Sequence, residues 1–126
     1  MTLNLIDLFS ATYQDGGRGP RSFDCFGLFI EIQRRRGIDL SDLPSPGDRA
    51  ARAELFYDRV QEWKRLDSPK PYCGVAFRVG RYVSHIGVVL EDCQRFMHVD
   101  EGIGVAVERL DAPRWEKRVA GFYEYA

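Results

Sequence analysis

The stretch Ser22-Phe23-Asp24-Cys25-Phe26-Gly27-Leu28-Phe29-Ile30-Glu31-Ile32-Gln33-Arg34-Arg35-Arg36-Gly37 has the marks of one helix and sets a cysteine in its first turn. Cys25, Leu28, Phe29 and Ile32 recur at helical spacing, which makes one apolar stripe. Asp24 precedes them as an N-cap, a carboxylate able to accept from backbone N–H groups that have no partner within the helix. Arg34-Arg35-Arg36 lie where the negative end of the helix dipole favours cations, and Gly37 suits a C-terminal cap. A helix over residues 24–36 is therefore predicted.

Outward from it, Gly16, Gly17, Gly19 and Pro20 break the chain on the N-terminal side. Before them Leu5, Leu8, Phe9 and Thr12 follow an i, i+3, i+4, i+7 pattern, which predicts a short opening helix with one buried stripe. On the C-terminal side Leu43-Pro44-Ser45-Pro46-Gly47 interrupts the chain. A second helix then follows over about residues 48–66, with Leu55, Phe56, Arg59, Val60 and Trp63 on one face. From Tyr72 the period changes to two, with β-branched runs at 75–79, 84–90, 95–99 and 104–109 separated by polar or glycine-containing turns. Helices first and strands afterwards predict an α+β domain, an antiparallel β-meander whose apolar face packs on the cysteine helix while its other face meets solvent.

A chain of 126 residues suits a single domain, 1–126. Its 44% hydrophobic and 13% aromatic content supports a packed interior, whereas 29% charged residues and a mean hydropathy of −0.34 argue against a membrane-spanning chain. Eighteen basic residues nearly cancel nineteen acidic ones, so no overall field favours nucleic acid as a partner. Thr2-Leu3-Asn4-Leu5-Ile6-Asp7 lacks the basic start and apolar run of a secretory signal, and synthesis in a reducing cytoplasm is expected. The three cysteines, Cys25, Cys73 and Cys93, are too few for a disulfide framework.

Cys25 stands out because unpaired N–H groups and the positive end of the dipole at a helix start favour a thiolate, and the same groups can hold an oxyanion. The plainer reading is a small buried residue filling space against the sheet. Thiol catalysis also needs a base and a third polar group that sets the tautomer of the base. The chain has two histidines, His85 and His98, on consecutive strand patterns. A two- or four-residue turn around Asp92-Cys93 sets His98 opposite Gly87, making it the diagonal neighbour of His85 on the same face. Gly87 then leaves room for the rings to meet, and Asp100, directly opposite His85, is a second candidate partner. Zinc bound by Cys25, His85 and His98 is a rival reading without a clear fourth ligand. Arg34-Arg35-Arg36 reads as a solvated helix end.

Together, Tyr13-Gln14-Asp15-Gly16-Gly17, Ser22-Phe23-Asp24-Cys25-Phe26-Gly27-Leu28, Ser84-His85-Ile86-Gly87-Val88-Val89 and Phe96-Met97-His98 resemble the NlpC-type family of papain-like cell-wall cysteine peptidases. The resemblance implies a papain-like NlpC-type fold with Cys25 as nucleophile, His85 as general base and His98 as the orienting third member. It also implies that Tyr13 lines the site and helps hold the oxyanion or substrate, and that Asp24 grips the amino end of the substrate. No cofactor and no metal is expected. The implied substrate is a peptidoglycan stem peptide, cut between γ-D-glutamate and the diamino acid. Phe26 stands where most bacterial members carry serine, which sets the inherited substrate subsite apart. This, the insertion near residues 48–66, and the closing Ala112-Pro113-Arg114-Trp115 and Val119-Ala120-Gly121-Phe122-Tyr123 resemble the phage and prophage branch of the family. That branch implies phage tail proteins as partners, with action at the cell wall or a structural role in tail-tip assembly.

Overall fold

The computed structural model describes residues 2–40 and 48–125. A 3-10 helix, Ile6–Ser10, leads into β1 (Thr12–Tyr13), which pairs in parallel with β2 (Ser22–Phe23). Next come α1 (Cys25–Arg35), α2 (Arg49–Val60), β3 (Trp63–Leu66), β4 (Gly74–Val79), β5 (Tyr82–Val89), β6 (Arg95–Asp100) and β7 (Gly104–Arg109). A second 3-10 helix, Glu116–Arg118, precedes β8 (Val119–Tyr125). The larger sheet has six strands in the order β3-β8-β4-β5-β6-β7, with every pairing antiparallel.

The cysteine helix forms as its sequence predicts. Asp24 is the N-cap, accepting from the Gly27 N–H at 2.6 Å, and Gly37 follows the last turn at φ +88°, a conformation glycine adopts without steric cost. Leu28, Phe29 and Ile32 are buried, and α1 packs against β5 and β6 over a core that includes Ile86, Val88, Met97 and Val99. Full burial of each large apolar side chain contributes about 1.5–3 kcal/mol.

Four expectations are corrected. The opening segment is a 3-10 helix in which only Leu8 is buried; its tighter turn carries Phe9 outward, 50% exposed, and Thr12 continues into β1. The second helix stops at Val60, and Trp63–Leu66 forms a strand paired with β8. Trp63 keeps the contacts a helical stripe would have supplied, its ring centroid lying 5.1 Å from that of Phe29 and 6.3 Å from that of Phe56. β8 enters between β3 and β4, so the sheet is a meander only from β4 to β7. Finally, the far face of the sheet is also covered. Val75, Phe77, Val89 and Phe96 pack there with Trp115 because neighbouring apolar residues on β5 and β6 point to opposite faces and both must be buried. The break at Leu43-Pro44-Ser45-Pro46-Gly47 lies outside the described residues.

Candidate active site

Cys25 occupies the first helical position of α1, 6% exposed. Its sulfur lies against the β5 backbone on both sides of His85: the thiol faces the Ser84 carbonyl at 4.0 Å, and the Ile86 N–H lies close enough to act on it. Burial pushes the thiol up, outweighing the Ile86 and Phe26 N–H groups and nearby Arg52; Asp24 adds to the rise. Desolvation, which the dipole argument does not weigh, thus works against a resting thiolate at this buried helix start. Iodoacetamide labelling of Cys25, followed by peptide mapping, is expected to keep accelerating with pH above the ordinary thiol range. A rate that levels off near neutrality would instead reveal a resting thiolate.

Asp24 is 2% exposed. Its carboxylate accepts from the N–H groups of Gly27 (2.6 Å) and Gly16 (3.2 Å) and from Arg18 Nη1 (2.8 Å). It ties the glycine loop to the helix start. Tyr13, on β1, donates its hydroxyl to Asp15 at 2.8 Å and accepts from Arg52 Nη1 at 3.1 Å. Burial and the Asp15 hydrogen bond push the phenol up to about 12.

The two histidines meet through the register read from the turn. Val88 pairs with Met97 and Val89 with Phe96, and a four-residue loop is closed by the Leu90 N–H on the Arg95 carbonyl at 2.8 Å. A Cβ built on Gly87 would lie 3.0 Å from Phe96 Cδ2, 3.2 Å from the Met97 carbonyl oxygen and 3.4 Å from the His98 Cβ, so a side chain here would press on β6. His85 Nε2 and His98 Nδ1 are 2.8 Å apart. Asp100 accepts from Arg114 at 3.0 Å. Trp115 stacks on His85 (centroids 5.8 Å apart, 22° between planes) and meets His98 edge-on at 5.0 Å, shielding their hydrogen bond.

Three residues stand at the site that the sequence reading did not assign to it. Glu108 on β7 places Oε2 2.5 Å from His98 Nε2. Trp115 covers the histidine pair. Arg52, on α2, lines both clefts that open here: one of about 380 Å³ with Cys25, Phe26 and Arg59, the other of about 620 Å³ with Tyr13, Trp115 and Asp100. Ser84 and His85 also border both, whereas Cys25 lines the first alone. Among the described residues, no group of three His, Cys, Asp or Glu side chains is placed to hold a metal ion.

The NlpC/P60 family profile matches residues 10–124, nearly the whole chain. The chain belongs to the NlpC/P60 family. This is a family of cysteine peptidases associated with cell walls. Two solved NlpC/P60 relatives share the fold. A lipoprotein-like NLP/P60 protein from Staphylococcus aureus is 24% identical with a TM-score of 0.67, over 95% of this chain and 38% of its own. NlpC1 from Trichomonas vaginalis is 18% identical with a TM-score of 0.69, over 93% of this chain and 40% of its own. The present NlpC/P60 chain thus spans about two-fifths of each. No curated protein matches it. Among the described residues, no helix is long and apolar enough to cross a membrane.

Proposed function

We propose that this NlpC/P60 chain is a cysteine endopeptidase that hydrolyses the γ-D-glutamyl–diamino acid bond of peptidoglycan stem peptides. The observation that carries this reading is the position of the Cys25 sulfur against the backbone flanking His85, in an open cleft, with His85 Nε2 engaged by His98. His85 takes the Cys25 proton as the sulfur attacks the scissile carbonyl. Backbone N–H groups at the start of α1 stabilise the oxyanion, and the Tyr13 hydroxyl joins them by turning its proton from Asp15. The amine leaves with a proton from His85, and water, activated by the same ring, releases the acyl group. The family supports the choice of bond and the role of Asp24 at the amino end of the substrate.

The phage-branch features named above support delivery to the cell wall with phage tail proteins. Incubating the purified chain with defined muropeptides and weighing the products tests the reaction. Cleavage at the glutamyl–diamino acid bond is expected. An inert chain that instead co-assembles with tail-tip proteins would favour the assembly role.

Arg52 bears on which substrates fit. Among the described residues, the 380 Å³ cleft is lined by Arg52 and Arg59 and by no carboxylate, between apolar walls that include Leu55, Phe56 and Ile86. A substrate carboxylate beside the scissile bond complements it. Arg52→Ala is expected to raise KM about tenfold with a smaller change in kcat, the loss of one partly solvated charge-assisted hydrogen bond. An amidated stem peptide, lacking that charge, should show no such difference between wild type and variant.

A further inference from the structure

His98 holds two hydrogen-bonding partners at once, His85 on one ring nitrogen and Glu108 on the other. A hydrogen bond between two neutral imidazoles is ambiguous by itself, since either ring can be the donor. The orientation matters: if His98 donated, His85 Nε2 would be the acceptor, its proton would sit on Nδ1, and the ring would have no lone pair left for a thiol.

We propose that Glu108 is a positioning residue that decides this ambiguity, fixing both histidines as Nε2–H tautomers and leaving His85 Nδ1 as the basic nitrogen. An ionised carboxylate only accepts hydrogen bonds. With Oε2 at 2.5 Å, His98 Nε2 must therefore carry the hydrogen. His98 is 0% exposed, walled in by the rings of Phe96 and Trp115, so one proton suffices and Nδ1 is bare. A bare Nδ1 at 2.8 Å accepts, so His85 Nε2 donates. Neutral His85 then has its lone pair on Nδ1.

The charged groups acting on His98 are Glu108, Asp100 and Arg114. Burial pushes His98 below the ordinary imidazole range against the pull of Glu108. Burial also acts to raise Glu108, but Trp115 and His98 beside it, together with the charge of Arg114, hold it below the usual carboxylate range. Both directions agree with a neutral ring bonded to an ionised carboxylate.

On the proposed peptidase reading, the Cys25 S–H bond breaks as an N–H bond forms at His85 Nδ1, and the sulfur keeps the electron pair. His85 becomes a cation while retaining its Nε2 proton; His98 keeps its own, and the Glu108 charge is relayed through a neutral ring. The tautomers themselves belong to the folded chain whatever it cleaves.

Because the sequence has two histidines, nitrogen-15 NMR of the imidazole rings reads both directly. At neutral pH both rings are expected to show a protonated Nε2 and a bare Nδ1. In Glu108→Gln, whose amide can donate as well as accept, the His98 nitrogens should move toward tautomer-averaged positions. Muropeptide turnover should lose about 10–100-fold in kcat with KM nearly unchanged, and the acid limb of the pH profile should shift. A proton on His98 Nδ1 in the wild type, or ring signals unmoved in Glu108→Gln, overturns the proposal. Expected tautomers in a chain that cuts no muropeptide would instead overturn the peptidase reading and leave the positioning role of Glu108 in place.

Discussion

Cys25→Ala is expected to leave muropeptides uncut while the chain folds as before. The variant removes a single heavy atom from a side chain that is already 6% exposed, and the cap that starts α1 belongs to Asp24, which is untouched. The stability change should stay within about 1 kcal/mol. Catalysis has no such margin, because the sulfur is the atom that forms the acyl bond. Loss of a nucleophile of this kind lowers kcat by about 10⁴–10⁶-fold, leaving only what substrate binding and the oxyanion donors supply. The double variant Cys25→Ala/His85→Ala should be no slower than the single one, since the two residues act as one unit. Mass analysis of products beside a thermal melt separates the two quantities. Unchanged cutting by Cys25→Ala would remove Cys25 from the reaction altogether.

The parts of this molecule governed by local periodicity were the legible ones. Helix α1 is bounded by residues that cap it whatever it packs against, and the pairing of His85 with His98 follows from a loop length readable at Glu91-Asp92-Cys93-Gln94. Trp63 was misplaced because it stays in helical phase with Phe56 and Val60, and its burial in a strand depends on β8, some sixty residues later. The far-face core was missed for a related reason. Val88 and Val89, or Phe96 and Met97, look like one buried run until a second layer is known to cover the other face. Glu108 did have a signal. Continuing the meander through the Gly102 and Gly104 turn sets His98 opposite Ala106, and Glu108 then lies diagonal to it. Arg52 had none, since no periodicity says which way α2 is laid across the sheet.

Gly27→Ala is expected to destabilise the chain by about 3 kcal/mol or more, against the usual sign of a glycine-to-alanine change inside a helix, which stabilises by up to about 1 kcal/mol. A Cβ at position 27 would stand 2.1 Å from the Gly17 carbonyl oxygen and 3.1 Å from both Arg18 Nη1 and Asp24 Oδ1. No rotation relieves this, because the nearest atom is backbone and is itself held. The Gly17 carbonyl accepts from the Asp24 N–H at 3.2 Å and from Arg18 Nη1 at 2.8 Å. Gly17 has no slack of its own, since a Cβ there would lie 2.8 Å from the Phe23 Cα. Two glycines ten residues apart thus let the loop after Tyr13 sit directly on the first turn of α1, placing the Tyr13 hydroxyl and the Cys25 sulfur in one site. The methyl must push that loop away, so the melting temperature should fall by about 10 °C and cleavage should be lost with it. A melt that rises instead would mean the loop and the helix are not in contact here, and the short path from Tyr13 to Cys25 would have to be redrawn.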